Sequence, residues 1–290
     1  MNTQAIQTQA RMQGFTVCHP LNLKPEEDSY SFGQKHGLIA VADGITRDPK
    51  GMPILPNGRH DVLGMLRFFW NYPKSSPAKV AADTFVRTFL QTMLDFKEKD
   101  SKSIQSAFEE ANKSIRILNL CRNIFPDYLE KDYWACVAAG TSLRQQDHQK
   151  VLSYGFIADC GVAVFDENGN LVFKTPNEGP SQEMDKERER IYRSFRFPEG
   201  RKATRRVYRN NPQTPFAYGA LTGENTARGY VRTGEIEFKP DNTVGVFSDG
   251  LEHVITSGEF AERIKQKRFG ELRGLCRRKV HTEGTLVYYR

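Results

Sequence analysis

Gly37-Leu-Ile-Ala-Val-Ala-Asp43-Gly44 and Val244-Gly-Val-Phe-Ser-Asp249-Gly250 are the two stretches on which the reading of this chain turns. Each is a short apolar run, partly β-branched, that ends in aspartate and then glycine, which is the pattern of a buried strand. A carboxylate at the end of such a strand is held rigidly. The following glycine lets the chain turn sharply, or lets its carbonyl approach an ion. The two runs lie about two hundred residues apart. If they are neighbours in one sheet, Asp43 and Asp249 stand side by side as hard oxygen ligands, the chemistry of a Mg²⁺ or Mn²⁺ site.

Around these runs the composition is that of an ordinary soluble globular chain. The 290 residues allow one large domain or two ordinary ones, and 38% hydrophobic with 27% charged residues supplies a substantial core. No apolar run approaches the roughly 20 residues that cross a membrane, and the polar start MNTQAIQTQARMQ does not read as a signal peptide. The five cysteines (Cys18, Cys121, Cys136, Cys160, Cys276) are scattered without a CxxC pair, which is the usage of reduced thiols in the cytoplasm. The formal charge of +7 is concentrated between Ser181 and Arg209, where ten basic and five acidic residues alternate. Interleaved acids (Glu183, Asp185, Glu187, Glu189) mark a solvated helix face or a flap, and argue against a phosphate-tracking stripe and so against nucleic acid.

Strand-like segments at Gly14–Cys18, Ser29–Phe32 and Gly37–Ala42 precede an irregular Pro/Gly/Asn loop, Asp48 to Gly58. Two helices are expected next. Ser76-Pro77 caps and opens the first, whose inner face carries Val80, Ala81, Phe85, Phe89 and Met93. Ser101 is expected to cap the second, with Ile104, Phe108, Ala111, Ile115 and Leu118 inward. Strands return at Trp134–Leu143 and Val151–Ile157, followed by a hairpin of Gly161–Phe165 and Asn170–Lys174 about the turn Asp166-Glu-Asn-Gly169. After the basic segment come a strand at Glu235–Phe238, the Asp249 strand, helices beyond Ser257 and a last strand at Thr285–Tyr289. Two strand blocks around a helix pair predict packed antiparallel sheets covered by helices.

Four acidic points end or flank these strands: Glu27-Asp28, Asp43, Asp159 and Asp249. A single Asp-Gly is most simply a turn. Several carboxylates converging from different strands suit a binuclear hard-metal centre, since each ion takes about six oxygen ligands. In this order the chain resembles the PP2C-type (PPM) metal-dependent serine/threonine protein phosphatases. The resemblance is carried by Glu27-Asp28-Ser29-Tyr30, Val41-Ala42-Asp43-Gly44, Ala139-Gly140-Thr141-Ser142, Ala158-Asp159-Cys160 and Ser248-Asp249-Gly250-Leu251, and spans residue 14 to the C-terminus.

What the resemblance implies is an α+β fold, an α-β-β-α sandwich of two antiparallel sheets flanked by helices. It implies one domain over residues 1–290, with a basic flap inserted at about 177–215. Asp43 would bridge two Mn²⁺ or Mg²⁺ ions, with the Gly44 carbonyl and Glu27 or Asp28 completing one and Asp249 holding the other. Asp159 falls where the family places a residue linked to a weaker third ion. Asp43 and Asp249 are thus the catalytic candidates, and the reaction implied is attack of a hydroxide held between the ions on phosphoserine or phosphothreonine. The expected partner is a phosphorylated protein substrate, met in the cytoplasm by a monomer. The chain departs from the pattern in three places. Thr282-Glu283-Gly284-Thr285 puts threonine at a usual ligand position, leaving Glu283, one methylene longer, as the metal candidate one residue on. Leu23 stands where an arginine often binds phosphate, leaving Lys24 as the basic substitute, without the bidentate fork. Ile45 replaces a histidine found in eukaryotic members. These departures keep a second reading open, an inactive binding module on the same fold. His36 and His60 read as surface residues, and Cys160 as a small buried hydrophobe.

Overall fold

The computed structural model describes residues 11–20, 22, 25–45, 76–121, 134–146, 148–179, 186, 190, 205 and 207–290. Lys24, His60 and most of the basic segment lie outside them. The strands among these residues are β1 (Met12–Cys18), β2 (Ser29–Gly33), β3 (Leu38–Gly44), β4 (Cys136–Gln146), β5 (Gln149–Ile157), β6 (Gly161–Phe165), β7 (Leu171–Lys174), β8 (Arg232–Glu237), β9 (Thr243–Phe247) and β10 (Glu283–Tyr289). The helices are α1 (Pro77–Asp95), α2 (Ser101–Cys121), α3 (Glu252–Ile255), α4 (Gly258–Lys265) and α5 (Leu272–Lys279).

Every strand pairing is antiparallel, and the strands form two five-stranded sheets in the orders β1-β10-β9-β6-β7 and β2-β3-β4-β5-β8. Alternation along the strands sorts residues between layers. On β9 and β10, Val244, Val246 and Val287 enter the core between the sheets, while Phe247, Leu286 and Tyr288 pack under α3–α5 with Phe260, Leu272 and Leu275. Strand β3 is buried on both faces, because α1 covers the side turned away from the other sheet. That explains its unbroken apolar run. The result is the expected α-β-β-α sandwich.

Helix starts follow local chemistry. Ser76 Oγ accepts the Lys79 N–H at 2.9 Å and Pro77 occupies the first turn, as the sequence predicts. The start of α2 differs from the expectation. Asp100, not Ser101, accepts the Ser103 N–H at 2.8 Å, because its carboxylate sits one residue before the first helical turn. The two helices lock on an aromatic trio, Phe85, Phe89 and Phe108, with ring centroids 4.9–5.7 Å apart. Gly140 and Gly155 face each other across β4 and β5, and a Cβ at either would strike Phe89 or Ile104 at 2.5 Å. Their bareness lets the helices lie close to the sheet.

The β6–β7 turn is held by Asp166, which accepts the Asn168 and Asn170 N–H groups at 2.9 and 2.8 Å, with Gly169 at φ 78°. On the far side of the molecule, buried Asn119 bonds both Trp134 backbone groups and the Thr222 carbonyl, at 3.0–3.1 Å. It thereby ties α2 to the start of the β4 region and to the segment after the basic stretch. All five cysteines are free thiols. No helix among the described residues is long and apolar enough to cross a membrane.

Candidate active site

Strands β3 and β9 belong to different sheets, so Asp43 and Asp249 are not neighbours within one. They meet across the sandwich instead, where the two sheets stack and both strands end together, and the two carboxyls lie within hydrogen-bonding range. The glycines after them also act differently from the expectation. Neither Gly44 nor Gly250 has a positive φ. A Cβ on Gly44 would lie 2.5 Å from the Ala78 carbonyl at the start of α1, and one on Gly250 would lie 1.8 Å from the Glu283 carbonyl. Close packing, not a sharp turn, demands glycine at both places.

Asp28 and Asp159 complete the cluster. Asp28 is buried, and its Oδ2 accepts from Ser248 Oγ at 2.7 Å. Ser248 Oγ in turn accepts the Thr285 N–H at 2.9 Å. Asp159 sits in a turn after β5, behind Ala158 at φ 63°, with Oδ1 buried and without a hydrogen-bond partner. All four aspartates act on the buried Cys160 thiol, which burial already pushes well up. They therefore lie near one point, the Cys160 thiol, at one end of the sandwich. Asp249 is exposed and Asp43 partly so, which leaves that point open to solvent on one side.

The electrostatics are those of a crowded anionic site. Burial, then the charges of Asp28, Asp249 and Asp159, hold the Asp43 carboxyl well above the usual range. Burial and then Glu283 push Asp28 up to about 7, against the lowering bonds from Ser248 and Thr285. Asp159 is raised to about 7 by burial and then by Asp249. Carboxylates so placed repel one another, and a divalent cation relieves that cost.

Of the Glu27-Asp28 pair, Asp28 is the member whose charge bears on Asp43. Glu27 is buried beside it, at the level of Glu283. Glu283 does reach this region despite its shifted place, because β10 begins two residues earlier than expected and pairs Glu283 with Cys18. Its Oε1 accepts the Glu27 and Asp28 N–H groups, and its Oε2 the Glu27 N–H, all at 3.0 Å. Thr282 is exposed, its carbonyl bonded to the His19 N–H at 2.7 Å. His36 is exposed, as expected, in the turn between β2 and β3.

Two participants escape the sequence reading. Lys79 donates to the Asp28 carbonyl and lies 3.7 Å from Glu26 and 3.5 Å from Asp83, bringing a cation to the rim of the cluster. The cap that starts its helix is legible, but nothing local links that helix to a residue 51 positions earlier. Ser248 falls inside a recognised stretch, yet its role as bridge from Thr285 to Asp28 depends on two partners far along the chain.

The donors offered are carboxylate oxygens, the set preferred by hard divalent cations, and Asp159 Oδ1 is a buried acceptor with nothing to accept from. By donor type these residues suit such an ion. Among the described residues, no three or more His, Cys, Asp or Glu side chains are drawn together closely enough to hold one as they stand.

No family model matches the sequence, and no curated protein is significantly similar to it. Solved structures are similar in shape. The catalytic domain of the serine/threonine protein phosphatase PstP, in complex with two manganese ions, matches at TM-score 0.60 and 14% identity over 97% of each chain. The S. agalactiae serine/threonine phosphatase matches at TM-score 0.59 and 12% identity, over 97% of this chain and 98% of that one. RsbX in complex with magnesium matches at TM-score 0.53 and 10% identity, over 97% and 94%. The chain thus has, over nearly its whole length, the fold of the PP2C-type (PPM) serine/threonine phosphatases.

Proposed function

We propose that this protein is a metal-dependent protein serine/threonine phosphatase that works as a cytoplasmic monomer on phosphorylated protein substrates. The observation that carries the reading is the meeting of Asp28, Asp43, Asp159 and Asp249 at one end of the sandwich, around Cys160. The manganese in PstP and the magnesium in RsbX, on the same fold, support it. Asp43 and Asp249, with the Gly44 carbonyl, Asp28 and Asp159, would hold two Mn²⁺ or Mg²⁺ ions, and a third at Asp159. Such ions lower the pKa of a bound water to near neutrality and act as Lewis acids toward a phosphoryl oxygen.

The chain's own residues do the placing. Ser248 fixes the direction of the Asp28 carboxylate. The close packing of Gly44 on α1 and of Gly250 on Glu283 sets the ends of the two strands from which Asp43 and Asp249 project. Lys79 secures the Asp28 backbone at the rim. Lys24 is proposed to attract the substrate phosphate as a point charge. An inactive binding module is the second reading, favoured by the exposure of Thr282 and by the occupation of both Glu283 oxygens with backbone amides.

Hydrolysis of p-nitrophenyl phosphate and of a phosphothreonine peptide, with Mn²⁺, with Mg²⁺ and with EDTA, separates the two. Turnover that requires metal and disappears in Asp43→Asn supports the phosphatase. A folded protein that turns over neither substrate with either metal leaves the binding module.

A further inference from the structure

Strand β10 grips Asp28 from two directions. Residues 283 and 285 are two apart on an extended strand and so share a face. From that face the Glu283 carboxylate takes the Glu27 and Asp28 N–H groups at 3.0 Å. Two residues along, the backbone N–H of Thr285, which lies in the plane of the sheet and points to Ser248 at the end of β9, fixes Ser248 Oγ at 2.9 Å, and Ser248 fixes the Asp28 carboxylate at 2.7 Å. Backbone and side chain of one aspartate are thus both referred to the same strand. The Thr285 side chain is anchored in turn, 2.7 Å from Thr16 Oγ1 on β1. Charge-assisted bonds from amides to a carboxylate are among the stronger hydrogen bonds, and here both carboxylate oxygens are engaged.

We infer that Glu283 is a positioning residue, which aims the Asp28 carboxylate at the cation site by clamping the Glu27-Asp28 backbone. Its contribution to metal binding passes through Asp28 and not through a bond of its own to an ion. The inference rests on the proposed function only in its second half, because the clamp is a property of the metal-free chain. A Glu at this place supplies what the length of its side chain permits, a reach past the first strand residue to two successive amides. A Gln there keeps the shape but offers one acceptor oxygen, and an Ala offers none.

The test uses the full chain in two measurements. In EDTA, amide hydrogen exchange at Glu27 and Asp28 is expected to quicken at least ~10-fold in Glu283→Ala, with Glu283→Gln between it and the wild type. In calorimetric titration with Mn²⁺, Glu283→Ala is expected to weaken affinity by ~10–100-fold, the scale of losing an outer support of a ligand. On an Asp28→Asn background the same substitution is expected to cost almost nothing more, since the residue it acts through is gone. Unchanged exchange at both amides overturns the clamp. An equal loss of affinity with and without Asp28 overturns the indirect role and makes Glu283 a ligand. Faster exchange with unchanged Mn²⁺ affinity reduces Glu283 to a purely structural bond and overturns it too. If Glu283→Ala does not fold, Glu283→Gln carries both measurements. A wild type that binds no Mn²⁺ defeats the proposed function and the metal half of this inference, while the exchange result alone still decides the clamp.

Discussion

Asp43→Asn is expected to make the metal-free protein more stable at pH 8 and less stable in excess Mn²⁺. A carboxyl whose folded pKa is raised holds its proton longer in the folded chain than in the unfolded one. Stability from such a group is greatest below its unfolded value, falls as pH rises through the interval between the two, and is lost once the folded value is passed. For Asp28, raised from 3.8 to about 7, the interval is about 3 units at about 1.4 kcal/mol each, an upper limit of about 4 kcal/mol. Asp43 is raised in the same direction, by burial and then by three neighbouring aspartates, so neutralising it relieves a cost of the same kind. The melting temperature in EDTA at pH 8 rises accordingly, by roughly 2–4 °C for each kcal/mol relieved in a chain of this size. Near pH 4.5 the folded wild type already carries the proton, and the advantage shrinks to about 1 kcal/mol. Mn²⁺ at a thousandfold excess over Kd adds about 4.1 kcal/mol to whichever chain binds it, which reverses the order in favour of the wild type. Thermal melts at the two pH values, with EDTA and with Mn²⁺, read all four quantities. Equal stabilisation at pH 4.5 and pH 8, or destabilisation in EDTA at pH 8, refutes the account of a strained carboxylate cluster.

Gly250→Ala places a Cβ 1.8 Å from the Glu283 carbonyl oxygen, a backbone atom that cannot yield cheaply, and is expected to cost about 3 kcal/mol or more in urea unfolding. Asn119→Leu removes the hydrogen bonds to the Trp134 N–H and carbonyl and to the Thr222 carbonyl, and is expected to destabilise by about 3 kcal/mol in urea unfolding. Phe89→Ala opens a cavity between α1, α2 and the bare backbone of Gly140, with an expected loss of 3–5 kcal/mol, about the upper range for buried aromatics. Gly140→Ala read beside it separates the cavity from the collision, because the larger residue at 140 fits only where Phe89 has been removed.

Features written in adjacent residues are legible from the sequence alone. Ser76-Pro77 announces α1, Asp166 to Gly169 announces the β6–β7 turn, and the two apolar runs ending in Asp43 and Asp249 are strands. What local sequence does not encode is which sheet a strand joins. The apolar pattern of β3 and β9 is the same whether they pair or face each other, and here they face each other. The glycines after the aspartates carry the same ambiguity. Asp-Gly suits a turn, and only the approach of Ala78 and Glu283 shows that close packing selects glycine. Glu283 is recognisable as an acid near the right place, but the early start of β10 and the amides of Glu27 and Asp28 become visible only in three dimensions. Lys79 belongs to the same class, a residue whose partners are distant along the chain and whose own surroundings read as an ordinary first helical turn.

The place of strand β10 governs how the chain acquires its shape. Within the described sheet, β1 is paired only to β10, and β9 is joined to β1 only through it. A nascent chain leaving the ribosome therefore exposes β1 early and must keep it unpaired until residues 283–289 have been made. Contacts between such remote segments slow the search for the native state and leave an apolar edge open to other chains meanwhile. The second sheet is free of that delay, since β2 to β5 pair in sequence order, and α1 and α2 cover it before β8 closes the far edge. Maturation is thus expected in two stages, the α1–α2 half first and the β10 half last. The carboxylates of Asp43 and Asp249, which sit on opposite halves, come together only at the final step. On the proposed function, ion binding would report that step directly, and a protein released before β10 has docked is expected to be compact, partly helical and blind to Mn²⁺.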